Sequence, residues 1–222
     1  TKLSESRFSM PNPFTVSQMR PIRDDMTISR NAKLSEKSRI SWFSLGPGTD
    51  ISRERYDAPS LYLCAEGSAV FLLGDDAHRV TLAPGGLLIV PGGTLCGVDS
   101  PSGVVYTEII TEKEITMNNQ IHSGEALSLA QLIDYEEGSI TNMDIVHTDD
   151  MKFVLMAFDA GTGLTPHRAP GNAIVTALDG EAVIGYEGKD YLVHAGDSFR
   201  FDKNGLHSIT ANKRFKMSLL LV

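Results

Sequence analysis

Ala65-Glu66-Gly67-Ser68-Ala69-Val70 and Leu178-Asp179-Gly180-Glu181-Ala182-Val183 are one phrase written twice. Each runs from an apolar residue through an acid to a glycine, then a polar residue and two apolar ones. Allowing a two-residue length change in the next hairpin, Leu82-Ala83-Pro84-Gly85 falls on Val193-His194-Ala195-Gly196. The glycines have a physical reason to recur. Gly67 and Gly180, and later Gly85 and Gly196, are placed to close tight turns that need positive φ, which glycine adopts without steric cost. Self-similarity at this long period indicates a duplicated domain rather than a solenoid of short repeats.

Outward from these phrases the pattern is one of short strands. Leu61 to Ala65, Ala69 to Leu73 and Val80 to Leu82 are apolar runs separated by Gly67, Gly74-Asp75, Pro84-Gly85-Gly86 and Pro91-Gly92-Gly93. The same rhythm resumes from Phe153 to Phe158 and continues through Ala173 to Leu178, Ala182 to Tyr186, Tyr191 to His194, Ser198 to Phe201 and Phe215 to Val222. Many short strands at even spacing predict an all-β sandwich or barrel. Residues 1–37 are polar, carry Pro11, Pro13 and Pro21, and read as an irregular arm. Residues 38–111 read as a first barrel, 112–148 as a connector and 149–222 as a second barrel. In the connector, Leu129, Leu132 and Ile133 fit one or two helical turns opened by the Ser128 hydroxyl.

Composition bounds the function. The chain has 222 residues, 41% hydrophobic and 22% charged, with a net charge of -8. That acidity argues against a sequence-independent grip on nucleic acid, which needs a basic face. The basic stretch at Lys213, Arg214 and Lys216 alternates with apolar residues like a half-exposed strand. Leu87 to Val90 and Leu219 to Val222 are too short to cross a bilayer, and no apolar signal segment opens the sequence. Cys64 and Cys96 sit in apolar runs with neither disulfide-framework nor zinc-finger spacing, so buried thiols in a cytoplasmic protein are expected. Trp42, the single tryptophan, is expected in core or dimer packing.

Gly161, His167, Pro170 and Gly180, followed by Gly196 and His207, resemble the two motifs of the cupin family. The phrase Gly188-Lys189-Asp190-Tyr191-Leu192-Val193-His194-Ala195-Gly196 is similar in style to cupins as well. The resemblance covers roughly residues 40–111 and 150–222. It implies two tandem cupin jelly-roll barrels joined by a short helical connector. A complete cupin holds a metal with three histidines and a glutamate. By resemblance the four positions in the second barrel are His167, Ala169, Ala173 and His207, with Asn172 beside the missing glutamate. In the first barrel they are Glu54, Tyr56, Ser60 and Cys96, a degenerate set without histidine.

Two readings follow. A binding module would hold a small polar or anionic metabolite at His167, His207 and Asn172 in the second barrel, the first barrel being structural. Alternatively, His167 and His207 would hold a divalent transition metal in an isomerase, lyase or dioxygenase acting on a small polar substrate. A fold alone does not choose between them. His167 and His207 should face each other inside the second barrel, with extra room left by Ala169 and Ala173. The arm's Phe8, Phe14, Val16, Met19 and Ile22 are expected to gain order by lying across a barrel, which favours a homodimer.

Overall fold

A computed structural model describes residues 12–222. Phe8 and Pro11 lie outside the described residues. The first half is built from β1 (Thr27–Asn31), β2 (Arg39–Leu45), β3 (Thr49–Arg55), β4 (Ser60–Gly67), β5 (Ala69–Leu73), β6 (His78–Leu82), β7 (Gly86–Val90), β8 (Leu95–Ser100) and β9 (Val104–Ile110). Residues between the halves form β10 (Thr116–Met117), β11 (Ala126–Ser128) and a 3₁₀ turn at Leu129–Gln131. The second half comprises β12 (Ile140–His147), β13 (Lys152–Phe158), β14 (Thr162–Arg168), β15 (Ala173–Tyr186), β16 (Lys189–His194), β17 (Ser198–Phe201), β18 (Leu206–Ala211) and β19 (Phe215–Leu221).

In the first barrel a sheet ordered β1-β2-β9-β4-β7-β11 faces a sheet ordered β3-β8-β5-β6. In the second, strands run β10-β12-β13-β19-β15-β18-β14, with β16 and β17 also paired to β15. All pairings are antiparallel. Curling such sheets face to face removes most exposed edges.

The duplication extends to hydrogen-bond register. Arg39 pairs with Ile110 and Lys152 with Leu221 at corresponding ends of the halves. β3 shifts register between Ile51 and Glu54; β14 does so between Leu164 and His167. β4 and β15 carry matching shifts at Cys64/Glu66 and Ala177/Asp179. A bulge re-aims the side chain beside it, and both halves place one next to the first site position.

Each barrel buries its own interior. A third apolar cluster joins them: Ile40, Trp42, Leu61 and Ile109 from one with Phe153, Leu155, Ala157 and Leu220 from the other. Because successive strand residues point to opposite faces, Leu61 and Ile109 serve this shared core while Tyr62 and Tyr106 serve the first barrel's interior. Trp42 is buried in this shared core, its ring 5.8 Å from that of Phe14.

The arm and connector are more structured than their polarity suggested. Phe14 makes an antiparallel bridge to Ser198 of the second barrel, and the Asn12 amide bonds the Arg200 backbone. A one-turn helix, α1 (Val16–Met19), is closed by a capping box between Thr15 and Gln18. Phe14 thus packs against Trp42 within the chain. β1 pairs with β2, and β12 with β13 at the corresponding station, so Thr27 and Ile140 begin equivalent strands. These strands lie within the segments read as arm and connector. Their half-exposed, polar-rich faces hide the period of two. The connector's helical element is the single 3₁₀ turn, and the Ser128 side chain does not cap it. Among the described residues no helix is long and apolar enough to cross a membrane.

Candidate functional site

The bulge in β14 and the adjoining strand β18 bring the second barrel's histidines together. His167 and His207 are cross-strand partners, with ring centroids 4.1 Å apart and planes inclined by 55°. His167 is exposed at the rim, while His207 is buried. Nδ1 of His167 lies 2.8 Å from the Thr165 carbonyl, and Nδ1 of His207 lies 3.1 Å from that of Gly205. A carbonyl only accepts, so each neutral imidazole carries its proton on Nδ1 and leaves the Nε2 lone pair free. This is how metal-binding histidines are commonly oriented. Burial holds the His207 pKa below the ordinary imidazole value; the Gly205 bond opposes that shift, and His167 adds to it.

The chemistry of this donor set fits a divalent transition ion, which His167 and His207 would hold through their Nε2 atoms. Among the described residues no group of three or more His, Cys, Asp or Glu side chains is assembled to enclose a metal. The extra room expected at Ala169 and Ala173 is not left open. Both alanines are buried in the aromatic cluster containing Phe199 and Phe201. Phe201, the cross-strand partner of Ala173, stacks on His207 with centroids 4.1 Å apart.

Asn172 does not join the histidines. Its amide nitrogen donates to the Leu34 carbonyl, and its amide oxygen accepts from the Lys203 backbone N–H. It clips the segment before β2 onto the second barrel. Its place one residue before Ala173 turns it to the other side of the strand. His194 is a surface residue between Glu181 and Asp197. The basic stretch is spent internally: Lys213 on Glu181, Arg214 on Asp159, and Lys216 on the Ala130 carbonyl.

In the first barrel, Glu54 and Cys96 are cross-strand partners as the histidines are in the second. The Cys96 thiol donates toward the Tyr62 hydroxyl at 3.8 Å, and burial pushes its pKa up to about 11. It is a packed thiol. Arg53 and Arg55, the cations that could have activated it, are turned to the Gly74 carbonyl and to Asp75. Ser60 is buried, and Tyr56 lies beneath the Arg39 guanidinium at 5.3 Å.

Behind these four stand residues that motif reading missed. Glu108 is only 5% exposed, is the cross-strand partner of Tyr62, and lies 3.6 Å from Arg39. Burial raises its pKa, against the pull of Arg39 and the Tyr62 hydroxyl. Tyr106 is fully buried, and its hydroxyl has no hydrogen-bond partner. A sequence signal existed. Tyr106 and Glu108 alternate inward on β9 where the second half has Met217 and Leu219 on β19.

Two tandem jelly-roll barrels, with a histidine pair at one barrel's motif positions, make the two-barrel cupin fold. Residues 154–222 match the cupin domain family, and the chain as a whole has the two-barrel cupin fold. It is similar to a Cupin 2 conserved barrel domain protein from Leptotrichia buccalis, at 25% identity and TM-score 0.85, covering 97% of this chain and 98% of that one. It also shares its fold with salicylate 1,2-dioxygenase from Pseudaminobacter salicylatoxidans, at 13% identity and TM-score 0.61, over 83% of this chain and 70% of that one. Bacillus subtilis oxalate decarboxylase, a protein with Mn(II) centres, is similar at 13% identity and TM-score 0.56, over 94% and 76%. No curated protein matches the sequence significantly.

Proposed function

We propose that the chain is a binding module that takes a small polar or anionic metabolite at the second barrel, with a divalent transition metal carried by His167 and His207. The observation that carries this reading is the histidine pair itself. Two imidazoles sit 4.1 Å apart with both Nδ1 atoms engaged by backbone carbonyls, so both Nε2 atoms remain available. Two protein ligands leave most of the coordination sphere to a bound oxyanion. The fold neighbours named for salicylate and oxalate suggest small carboxylates as first probes.

The test is elemental analysis of protein purified without an affinity tag, followed by titration of Mn(II) and Zn(II) into metal-stripped protein. One ion per chain, lost or weakened tenfold or more in His207→Ala and His167→Ala, supports the reading. Protein that takes up neither ion, and binds neither oxalate nor salicylate, overturns it. The catalytic alternative, an isomerase, lyase or dioxygenase, draws on the same free Nε2 atoms. Turnover of a bound carboxylate by the metal-loaded chain would favour it over binding alone.

A further inference from the structure

The two barrels meet along a seam that is not filled throughout. Successive strand residues point to opposite faces, so Leu63 on β4 and Thr107 on β9 turn away from the first barrel's interior. Thr176 on β15 and Ser218 on β19 do the same in the second. The register makes these residues equivalents: Leu63 pairs with Thr107 as Thr176 pairs with Ser218. Elsewhere along the seam, Leu61, Ile109 and Leu220 pack in the shared core. Beside Thr107 and Ser218 a cavity of about 280 Å³ opens, bounded by both barrels, by Val16 of α1 and by Leu129 of the 3₁₀ turn. The matching bulges after Cys64 and Ala177 border it as well. A bulge bends its strand, and two bent strands along one seam leave space that straight ones would close.

The lining is mostly apolar, with a few hydroxyls and, among the described residues, no charged side chain. The Cys64 thiol, which burial pushes up to about 12, adds no charge. Thr176 and Ser198 satisfy each other, their hydroxyl oxygens 2.9 Å apart. Thr107 and Ser218 differ. They are only 8% and 4% exposed, and neither hydroxyl bonds any described residue. A buried hydroxyl without a partner is costly. Both residues lie on the cavity wall, where a bound molecule reaches them. Water fills such a space poorly, because each molecule wants about two to four polar partners. Most of this wall offers none.

We propose that this cavity between the barrels is a second binding site, for a small uncharged alcohol that is otherwise apolar, its hydroxyl meeting Thr107 or Ser218. The site lies outside both barrel interiors and shares no residue with the histidine pair. Size sets the scale. An apolar cavity of about 150 Å³ takes benzene, so this one suits about ten non-hydrogen atoms. Val16, Leu63, Leu129 and Leu178 provide apolar walls, and burial of apolar surface against them supplies the affinity. The ligand hydroxyl can donate or accept, as can those of Thr107 and Ser218. Charged molecules are selected against, because no lining side chain among the described residues offers a counter-charge. A ligand here touches both barrels, the arm and the connector at once, so it stabilises their assembly.

The experiment is saturation-transfer NMR on the full chain with 1-hexanol, 2-phenylethanol and 1-naphthol, counter-screened with hexanoate and hexylammonium. At least one alcohol should bind in the millimolar range or tighter, and the charged congeners should not. Thr107→Val combined with Ser218→Ala replaces only hydroxyls that lack partners, so the fold is kept. This variant should weaken the alcohol fivefold or more. Ala65 is exposed and lines the cavity, so Ala65→Trp places a ring across its edge and should abolish binding. Melting curves establish that each variant is native, and either variant alone tests the site. No alcohol binding at millimolar concentration, preference for hexanoate or hexylammonium, or wild-type affinity in either native variant would overturn the proposal.

Discussion

Phe201 lies almost flat against His207, with ring planes 22° apart and centroids separated by 4.1 Å. The same imidazole meets His167, whose ring centroid is also 4.1 Å away and whose plane is inclined by 55°. Burial disfavours an imidazolium at His207, and the neighbouring His167 adds to that. The candidate metal ligand is therefore kept neutral, with its Nε2 lone pair available.

This environment predicts the sign of a pH effect. The folded pKa of His207 is lowered, chiefly by burial, so the unfolded state binds the proton more readily. The stability that neutral His207 contributes is fully present above its unfolded pKa, about 6.5, and is lost as pH falls from there through the folded value. Thermal melts of the wild type should decline from pH 7 toward pH 5. His207→Leu should show a shallower decline across the same interval. A variant with unchanged slope would place the titration elsewhere.

Phe14 is almost completely buried against Trp42 and anchors the arm to Ser198. Phe14→Ala should cost about 3–5 kcal/mol, the usual range for emptying a buried phenylalanine site. Trp42 is the single tryptophan, so its emission should shift to the red as its neighbour is removed. Chemical denaturation followed by fluorescence measures both effects. A loss below about 1 kcal/mol would mean that the site collapses onto the gap.

The turn glycines differ in what surrounds them. Gly180 has φ +72°, and a methyl group there would run into the Arg214 carbonyl oxygen. Gly196 has φ +95° with open space around the same position. Gly196→Ala should cost about 1–2 kcal/mol from the left-handed backbone alone. Gly180→Ala adds a backbone collision and should cost about 4 kcal/mol or prevent folding. Urea denaturation of the pair checks the ranking, and equal costs would contradict it.

Both thiols should be silent in the native state. Burial pushes Cys64 up to about 12 and Cys96 up to about 11. Ellman's reagent at pH 8 should label neither on the timescale of exposed cysteine, and both after addition of guanidinium. Rapid labelling of one thiol in native protein would show that its barrel opens locally.

Strand rhythm and repeated turn glycines made the two barrels legible, because Gly67 and Gly180 answer a steric demand that few other residues meet. The histidine pair was legible because its two motif positions fall on neighbouring strands. Other features were hidden for physical reasons. β1 turns Ile28 and Arg30 to its half-buried side and β12 mixes polar with apolar residues over its first half, so no apolar alternation marks either in the sequence. The packing of Phe201 into the space beside Ala173 depends on cross-strand register. Asn172 drew attention by its position, but hydrogen bonds to Leu34 and Lys203 decide its role. The inward pair Tyr106 and Glu108 was visible only by continuing the comparison of the halves past the motifs onto β9 and β19.

The shared core between the barrels has a consequence for synthesis on the ribosome. All strands from β1 to β9 have been made by residue 110, but the outer face bearing Ile40, Trp42, Leu61 and Ile109 meets Leu220 only at the far end of the chain. At about 5–20 residues per second, that greasy flank waits about 5–20 s for its cover. The nascent first half is the stage most exposed to aggregation and the natural place for a chaperone to act.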